Sequence, residues 1–517
     1  MGTFFRVRGR GFGRPWIALV AGGAMALAGC EVGPNYQSPK VPVPEKFNEA
    51  EVRPTTRPAP ELAAVPTPEQ LKRWWETFHD PELNKLIDYS LRSNLDLQTA
   101  AERIVEARAE AGMARAGMFP TVNGTAQYNH SRRSAHLGSS GAVTSTAAGT
   151  TSTTGTTTAS GGGGSTLEGD FYQAGFDAAW ELDVFGGIRR GIEEANANVD
   201  AAIEDRRSVL ITLLGDVATD YMSLRGLQAQ VAITVGNIST QQQTLNLIET
   251  QNRAGLVADL AVAQQEAQLM TTKATLPDLE AEIDVEIHAL GVLLDLEPSA
   301  LEAELAAPGP IPFGPVHIPP GLPSELLRRR PDIREAERQL AASSAEIGVA
   351  ISQLYPQFSL TGSLGYESSQ FHQLFNLYSR YFSLGPSVNW PIFNAGQIEY
   401  NVQVENSLER QAFINYESTV LTGFQEVEDS LITYAKEQDR RAELQDAVVA
   451  DQKAVDLTQS LYKEGLDTFL DVLTTQQTLL TAQQSLVTSE QAVSTDLVSL
   501  YKALGGGWET TEMKDTD

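Results

Sequence analysis

A single cysteine, Cys30, occurs among the 517 residues, so the chain cannot form an internal disulfide bond. After the first thirty residues, no apolar run reaches the roughly eighteen residues that a membrane-spanning helix needs. Basic residues are also scarce, since 38 Lys and Arg face 66 Asp and Glu, for a net charge of -28. This charge argues against nucleic-acid binding, because phosphates select basic patches. It is typical of a soluble, self-repelling surface.

Catalytic and cofactor-binding patterns are missing as well. The histidines are scattered without metal-ligand spacing. They are His79, His130, His136, His288, His317 and His372. The glycine run at 161–164 lacks the Gly-Lys-Ser/Thr ending of a phosphate-binding loop. The carboxylate pairs on helices are typical of solvated faces at this net charge. These features predict that the protein is not an enzyme and has no metal or cofactor.

The N-terminus has the pattern of a secretory signal. Four arginines between residues 6 and 14 precede a short apolar stretch at 17–27. The stretch ends in Leu27-Ala28-Gly29-Cys30, which resembles the lipobox of bacterial lipoproteins. We therefore expect residues 1–29 to be a signal peptide and Cys30 to carry a covalent lipid such as palmitate. Residues 30–70 are rich in proline and charge, and residues 30–82 are expected to form an N-terminal lipid-anchored arm.

Four segments alternate between apolar and polar residues, and the pattern predicts β-strands. In residues 357–367, QFSLTGSLGYE, Phe358, Leu360, Leu364 and Tyr366 share one face, while Ser, Thr, Gly and Glu share the other. The strands are predicted at 121–129, 171–180, 357–367 and 381–390. A half-buried strand of a soluble sheet has the same pattern, but a sheet is unexpected among long helices.

The remaining periodicity is helical. Helices are predicted at 83–118, 187–253, 259–294, 324–354, 397–464 and 468–504. A Gly/Ser/Thr tract at 138–166 is typical of a flexible loop, and eight prolines make 295–323 a linker. Residues 505–517 are a C-terminal tail.

The chain contains an internal repeat. Phe119-Pro120 matches Tyr355-Pro356 at an offset of 236, and Gly255 matches Gly465 at an offset of 210. One unit of helix, strand, loop, strand, long helix, tight turn and helix is therefore used twice, at 83–294 and 324–504. The summed short helices of each unit are about as long as its long helix. We expect the short helices to stack end to end beside the long one, with the strands at one end.

The last predicted helix carries two apolar seams that also contain glutamines. Two seams indicate neighbours on both sides, as in a curved wall of helices, whereas one seam would indicate a two-helix coiled coil. A long helical bundle without a pore fits this periodicity too.

Four strands per chain do not close a barrel. In lipid every edge group must be paired, and small membrane barrels have at least about eight strands. The strands must be pooled between chains, and three copies would supply twelve. This argument excludes a monomer without choosing three copies over two or four.

Several motifs resemble the TolC/OprM-like outer-membrane efflux factors, the NodT group of lipoproteins. They are Cys30-Glu31-Val32-Gly33-Pro34-Asn35-Tyr36, Trp74-Trp75, Arg328-Arg329-Arg330-Pro331-Asp332-Ile333 and Leu500-Tyr501-Lys502-Ala503-Leu504-Gly505-Gly506-Gly507-Trp508. The resemblance implies a mainly α fold with β-strands, in which long antiparallel helices form a periplasmic α-barrel. The strands of a homotrimer then form a transmembrane β-barrel in the outer membrane. It implies an exit duct coupled through a periplasmic adaptor to an inner-membrane pump, expected to be of the RND type.

The two predicted tip turns are Arg253-Ala254-Gly255-Leu256 and Lys463-Glu464-Gly465-Leu466. Glycine permits the left-handed residue that reverses a helix pair, so both are predicted helix C-caps. The resemblance implies in addition that the adaptor docks at these tips, at Arg253, Gly255, Lys463 and Gly465.

The candidate gate lies beside the second tip. Asp467 and Asp471 are four residues apart and share a helix face, and in a trimer they would form an acidic ring that selects cations. Stabilisation of a helix N-terminus explains Asp467 equally well. We place Asp471 one turn further in, which makes it the better candidate. Tyr462 and Asp471 match TolC-like constriction positions, but Thr474 and Ala261 stand where the family has carboxylates.

Two alternatives to a small-molecule duct stay open. The sequence also fits an exit duct for type I protein secretion, or a lipid-anchored envelope-spanning protein that does not conduct. The lipid anchor and the Arg-Arg-Arg-Pro-Asp-Ile block resemble drug and metal pump partners more. The cargo is not visible in the sequence.

Overall fold

The structure is a computed structural model and describes residues 31–42, 44, 47, 71–132, 168–315 and 323–510. Residues 1–29, predicted to be a signal peptide, Cys30 and the Gly/Ser/Thr tract lie outside the described residues. The chain divides into two compact units. We call the described parts of 1–37, 107–199 and 340–412 the strand unit. The described parts of 38–106, 200–339 and 413–517 are the helix unit.

Helices dominate the described residues, and none of these helices is long and apolar enough to span a membrane. The helices are α1 (Pro81–Ser93), α2 (Leu95–Ala116), α3 (Gly187–Arg253), α4 (Asp259–Leu293), α5 (Glu302–Leu305), α6 (Pro323–Arg329), α7 (Pro331–Ser352), α8 (Gln397–Lys463) and α9 (Phe469–Ala503). The strands are β1 (Thr121–Arg132), β2 (Glu168–Leu182), β3 (Gln357–Ser368) and β4 (Arg380–Asn389). Both long helices thus end within a residue of the predicted bounds.

The strand unit is built around one antiparallel sheet with the order β1-β2-β3-β4. Its register keeps apolar residues opposite apolar residues, because Phe176 pairs with Leu364 and Leu364 pairs with Phe382. These three side chains are 62%, 60% and 82% exposed. The opposite face pairs Asp177 with Ser363, and Ser363 with Ser383. The sheet therefore has one apolar and one polar face, as the alternation predicted.

Two predicted helices are interrupted. The predicted helix at 83–118 breaks at Asn94, whose side chain accepts a hydrogen bond from the backbone N–H of Leu97 (2.9 Å) and donates one to the carbonyl of Leu293 (3.0 Å). The predicted helix at 324–354 breaks at Arg330, because Pro331 disfavours helical backbone in the residue before it. End-to-end stacking of single short helices was therefore too simple an expectation.

The segment predicted as a linker at 295–323 is partly structured. It contains a 3-10 turn, Pro298–Leu301, followed by the one-turn helix α5. Gln228 donates to the carbonyl of Leu305 at 2.7 Å, and Arg225 donates to that of Ala307 at 2.8 Å. These bonds fix residues 305–307 against α3.

The core of the helix unit lies where the N-terminal aromatic residues meet α3, α8 and α9. The rings of Trp74 and Tyr501 stack at a centroid distance of 5.2 Å, and Trp75 is completely buried. Val217 of α3 and Val427 of α8 are equally buried in the same cluster. The two repeats therefore share one apolar core.

Candidate channel gate and docking tips

Both tip turns are complete Schellman motifs. The N–H of Gly255 donates to the carbonyl of Asn252 (2.8 Å), and that of Leu256 donates to Gln251 (2.9 Å). Gly465 and Leu466 repeat the pattern at 3.0 and 2.9 Å. The φ angles of Gly255 and Gly465 are 71° and 75°, a left-handed conformation that favours glycine. The predicted glycine turns therefore reverse the chain between α3 and α4 and between α8 and α9.

The second tip ends in a side-chain N-cap. Thr468 is the N-cap of α9, and its hydroxyl accepts a hydrogen bond from the N–H of Asp471 at 3.4 Å. The same hydroxyl donates to the Asp471 carboxylate. Asp471 therefore lies in the first turn of α9, not one turn further in, since the helix begins at Phe469. Asp471 is therefore placed where the helix dipole stabilises a carboxylate, contrary to the prediction.

The electrostatics of this tip favour an ionised carboxylate. The hydrogen bond that the Thr468 hydroxyl donates lowers the pKa of Asp471 below its ordinary value of 3.8. Asp467 itself accepts from the backbone N–H of Thr468 at 2.8 Å. The two predicted acids thus lie together at one helix N-terminus, and the Asp471 side chain is exposed.

Tyr462 joins the two tips. Its hydroxyl donates to Oε1 of Gln251 on α3 at 2.8 Å, and its ring meets Phe469 edge-on at 6.1 Å. Phe469, Ile248 and Val472 form a small buried cluster beneath it. Partial burial raises the pKa of Tyr462, so the hydroxyl stays protonated and able to donate. The hydrogen bond between Tyr462 and Gln251 therefore holds the α8–α9 tip to α3 above an apolar contact.

The first tip is capped in another way. Ala258, the N-cap of α4, makes no side-chain capping bond. Instead, the side-chain amide of Asn252 donates to the carbonyl of Val257 (2.9 Å) and to the carboxylate of Asp259 (2.8 Å). Ala261 occupies the place in α4 that Asp471 has in α9, by the repeat offset of 210. Only the second tip therefore carries a carboxylate at this position.

Exposed leucines surround both turns, and the sequence reasoning missed them. Leu256 and Leu466 directly follow the glycines and are 76% and 72% exposed. Leu260 and Leu470 lie four residues further on and are exposed as well. The sequence does contain a signal for these exposed leucines, which is a Gly-Leu pair in each repeat with a second leucine four residues later.

The predicted docking cations differ in their surroundings. Arg253 is exposed and folds back on its own helix, where it donates to the carbonyl of Glu249 at 3.2 Å. Lys463 is exposed at the last position of α8. Within the described residues, no group of three or more His, Cys, Asp or Glu side chains is arranged to hold a metal ion.

Comparisons with known proteins match most of the chain. The family described as "Outer membrane efflux protein" matches residues 86–294 and 322–506. The "Solvent efflux pump outer membrane protein SrpC" of Pseudomonas putida is 33% identical over 492 residues, 94% of this chain and 97% of that protein. "Nodulation protein T" of Rhizobium leguminosarum bv. viciae is 31% identical over 489 residues, 94% of this chain and 92% of that protein.

Solved structures agree with these relatives. The outer-membrane channel OprN superimposes with a TM-score of 0.80 at 32% identity, covering 93% of this chain and all of that one. CusC follows with a TM-score of 0.74 at 27% identity, covering 92% of this chain and 100% of that one. The chain therefore belongs to the outer membrane efflux protein family and is the outer-membrane channel of an efflux pump.

Proposed function

We propose that this channel is a gated exit duct that works as a homotrimer and passes small molecules received from an inner-membrane pump through a periplasmic adaptor. The observation that carries the proposal is the two-faced sheet. Its exposed apolar face suits lipid, and its polar face suits a water-filled lumen. Such a duct acts by sterics and charge and needs no catalytic residue or cofactor.

The number of strands and their edges support assembly of several copies, of which the proposed form is the trimer. The sheet has four strands, and among the described residues β1 and β4 each pair on one side only. An unpaired strand edge is not tolerated in a bilayer, so copies must join edge to edge. Three copies close a barrel of twelve strands, within the known size range of such barrels.

The gate is proposed at the second tip. The carboxylates of Asp467 and Asp471 would form an acidic ring in the trimer, and Tyr462 would hold the ring closed through its bond to Gln251. A ring of like charges attracts cations and is blocked by multivalent ones.

The adaptor is proposed to dock on the tips. Leu256 and Leu466 project from the Gly255 and Gly465 turns into solvent, and exposed apolar side chains rimmed by polar residues mark protein interaction sites. Arg253 and Lys463 would add charge at the rim. An RND-type pump is the expected partner, and Cys30 is the expected site of a covalent lipid anchor.

Conductance tests the duct directly. The purified full chain in a planar bilayer is expected to conduct ions. Asp471→Asn is expected to raise the conductance measured with a multivalent cation present, because a less charged ring is blocked less. Asp446→Asn, an exposed acid on α8, is the matched control and is expected to leave conductance unchanged. An inserted protein that never conducts, even with Asp467 and Asp471 both replaced, would favour the closed structural alternative.

Crosslinking tests the partner. Cysteines at Ala254 and Glu464, both exposed beside the tip glycines, are expected to crosslink to the adaptor in cells. A cysteine at Asp446 is the control and is expected not to do so. Absence of tip crosslinks would overturn the docking proposal, and capture of a type I secretion adaptor would replace the small-molecule pump with a protein exporter.

A further inference from the structure

The first described residues of the chain lie against the corner where β2 passes into α3. The N–H of Val32 donates to the carbonyl of Phe185 at 3.1 Å. Gly186 has a φ of 82°, and a Cβ there would lie 3.0 Å from the Cα of Glu31. The backbone of the arm therefore rests directly on the backbone of the corner, where only glycine leaves room.

The buried side chain of Arg190 bonds to this segment at two points. Its guanidinium donates to the carbonyl of Val32 (3.1 Å), to Oδ1 of Asn35 (2.7 Å) and to the carboxylate of Glu193 (2.5 Å). Arg190 is only 2% exposed. A buried cation is tolerated only when its donors are satisfied, and two of these three acceptors come from the arm.

A glycine of the second repeat contacts the arm and Arg190 as well. A Cβ on Gly348 of α7 would lie 2.7 Å from Cγ of Arg190, and a Cβ on Gly33 would lie 2.5 Å from the Cα of Gly348. The arm is thus clamped between an arginine of the first repeat and a glycine of the second.

The repeat provides an internal comparison. At an offset of 210, Tyr400 stands where Arg190 does, and its side chain is 65% exposed. At an offset of 236, Gly112 stands where Gly348 does, and a Cβ there would have no atom within 4 Å. The corner after β4 therefore lacks the guanidinium, so particular residues, not the shared architecture, decide where the arm docks.

We infer that Arg190 is the positioning residue that seats the lipid-bearing arm at the corner after β2. The inference rests on the proposed lipidation of Cys30, which precedes Glu31 in the chain. Acyl chains attached there would be tethered beside the end of a strand whose face carries Phe176 and Trp180. The anchor would then enter the membrane at a fixed place on the sheet rather than on a free tether.

Spin labelling of the full chain in lipid vesicles tests the seat. The label is placed at Gln37→Cys, an exposed arm position two residues beyond Asn35. In the parent protein we expect an immobile spectrum. Arg190→Ala removes hydrogen bonds from a charged donor and is expected to raise the ratio of mobile to immobile label about tenfold. Arg115→Ala, which loses only an exposed bond to Asn196, is the control and is expected to leave the ratio unchanged.

A second variant keeps the test decisive if Arg190→Ala does not fold. Asn35→Ala lies outside every helix and strand and removes one bond to the guanidinium, so a smaller rise in the mobile fraction is expected. An unchanged spectrum with Asn35→Ala, or with a folded Arg190→Ala, would overturn the inference. The mass of the N-terminal peptide reports acylation separately. An unmodified Cys30 would overturn the lipid anchor, and the label would then be read in a Cys30→Ser background to test the seat.

Discussion

The indole Nε1 of Trp390 donates a hydrogen bond of 3.2 Å to the carbonyl oxygen of Leu354. Trp180 makes the same bond to the carbonyl of Met118 at 2.9 Å. The tryptophans are related by the offset of 210 and the acceptors by the offset of 236. In each repeat the bond ties the end of a helix to the end of the second strand, and so closes the strand pair at its base.

Replacing these tryptophans with phenylalanine tests that role. Trp390→Phe keeps an aromatic ring but removes the donor, so we expect the free energy of unfolding to fall by about 0.5–1.5 kcal/mol. Trp180→Phe is expected to lower the free energy of unfolding by a similar amount, because the hydrogen bond it removes is equivalent. Denaturant unfolding, followed by the circular dichroism of the β-strands, measures both losses of stability. Tyr378→Phe, at a fully exposed ring, is the control, and equal stability of all three variants would contradict the role.

The arginine block that marks the family resemblance contains a structural clamp. Arg330 is buried and donates to the carbonyl of Ala503 at 3.0 Å, and it pairs with Asp332 (2.6 Å) and Glu426 (2.7 Å). We expect Arg330→Ala to lower the free energy of unfolding by about 1–3 kcal/mol, because it removes charge-assisted hydrogen bonds but leaves carboxylates that solvent can reach. Chemical denaturation measures this loss. Arg328→Ala, at an exposed neighbour, is expected to change it by less than about 0.5 kcal/mol, and equal losses would contradict the clamp.

The strands and long helices were predictable because their signals are local. Alternation located β3 at residues 357–368, one residue longer than predicted, and a long proline-free helical pattern gave α3 its bounds at 187–253. The break at Asn94 was not predictable, because the carbonyl it bonds belongs to Leu293, 199 residues away. For the same reason nothing in the sequence marked Arg190, whose acceptors Val32 and Asn35 precede it by more than 150 residues.

The candidate site also has features that the sequence predicted and features that it did not. The glycine turns follow from local backbone rules, and Thr468-x-x-Asp471 is a capping pattern that the sequence did contain. The bond between Tyr462 and Gln251 joins different repeats, so only the folded chain reveals it.

A cluster of three acids gives the strand unit a pH dependence. Burial, with the neighbouring carboxylates of Glu346 on α7 and Glu405 on α8, raises the pKa of Glu194 from 4.5 to about 8. A raised folded-state pKa means that the folded protein binds the proton more tightly, so stability is full below about pH 4.5 and is lost as the pH rises toward 8.

Glu194→Gln removes the ionisable group and therefore the loss of stability at high pH. We expect the variant to be more stable than the parent at neutral and higher pH, by about 1 kcal/mol or less because the group is only half-buried. Denaturant midpoints measured across the pH range give the difference. Glu399→Gln, an exposed acid on α8, is the control. A pH profile that Glu194→Gln leaves unchanged would show that the three carboxylates do not share this penalty.

The tip glycine tests the turn independently of docking. A Cβ at Gly465 meets no atom within 4 Å, so the cost of Gly465→Ala is conformational and amounts to about 1–2 kcal/mol at a φ of 75°. In this variant we expect the backbone amides of residues 465 and 466 to exchange hydrogen at least about tenfold faster than in the parent protein. Asn tolerates the left-handed region, so Gly465→Asn is expected to change exchange less. Glu464→Ala is the neighbouring control, and equal effects of all three variants would rule out a conformational cost.

The cap on Asp471 determines how the proposed gate responds to pH. Because the hydrogen bond from Thr468 lowers the Asp471 pKa below 3.8, the carboxylate stays ionised from neutral pH down to about pH 5. A lowered folded-state pKa also means that the stability it contributes is present above the unfolded pKa and is lost only as the pH falls through the folded one. Block of the channel by a trivalent cation is therefore expected to be constant over this range.

Removing the Thr468 hydroxyl is expected to shift the pH dependence of channel block. Thr468→Val keeps the shape of the side chain, so the Asp471 pKa is expected to return toward 3.8 and the α9 cap to weaken by about 1 kcal/mol. Conductance with hexamminecobalt on the tip side should then lose its block at a higher pH than in the parent. Asp471→Asn should weaken the block at every pH, because the ring carries less charge. If Asp471→Asn and Asp467→Asn both leave the block intact, the constriction does not lie at this pair of carboxylates.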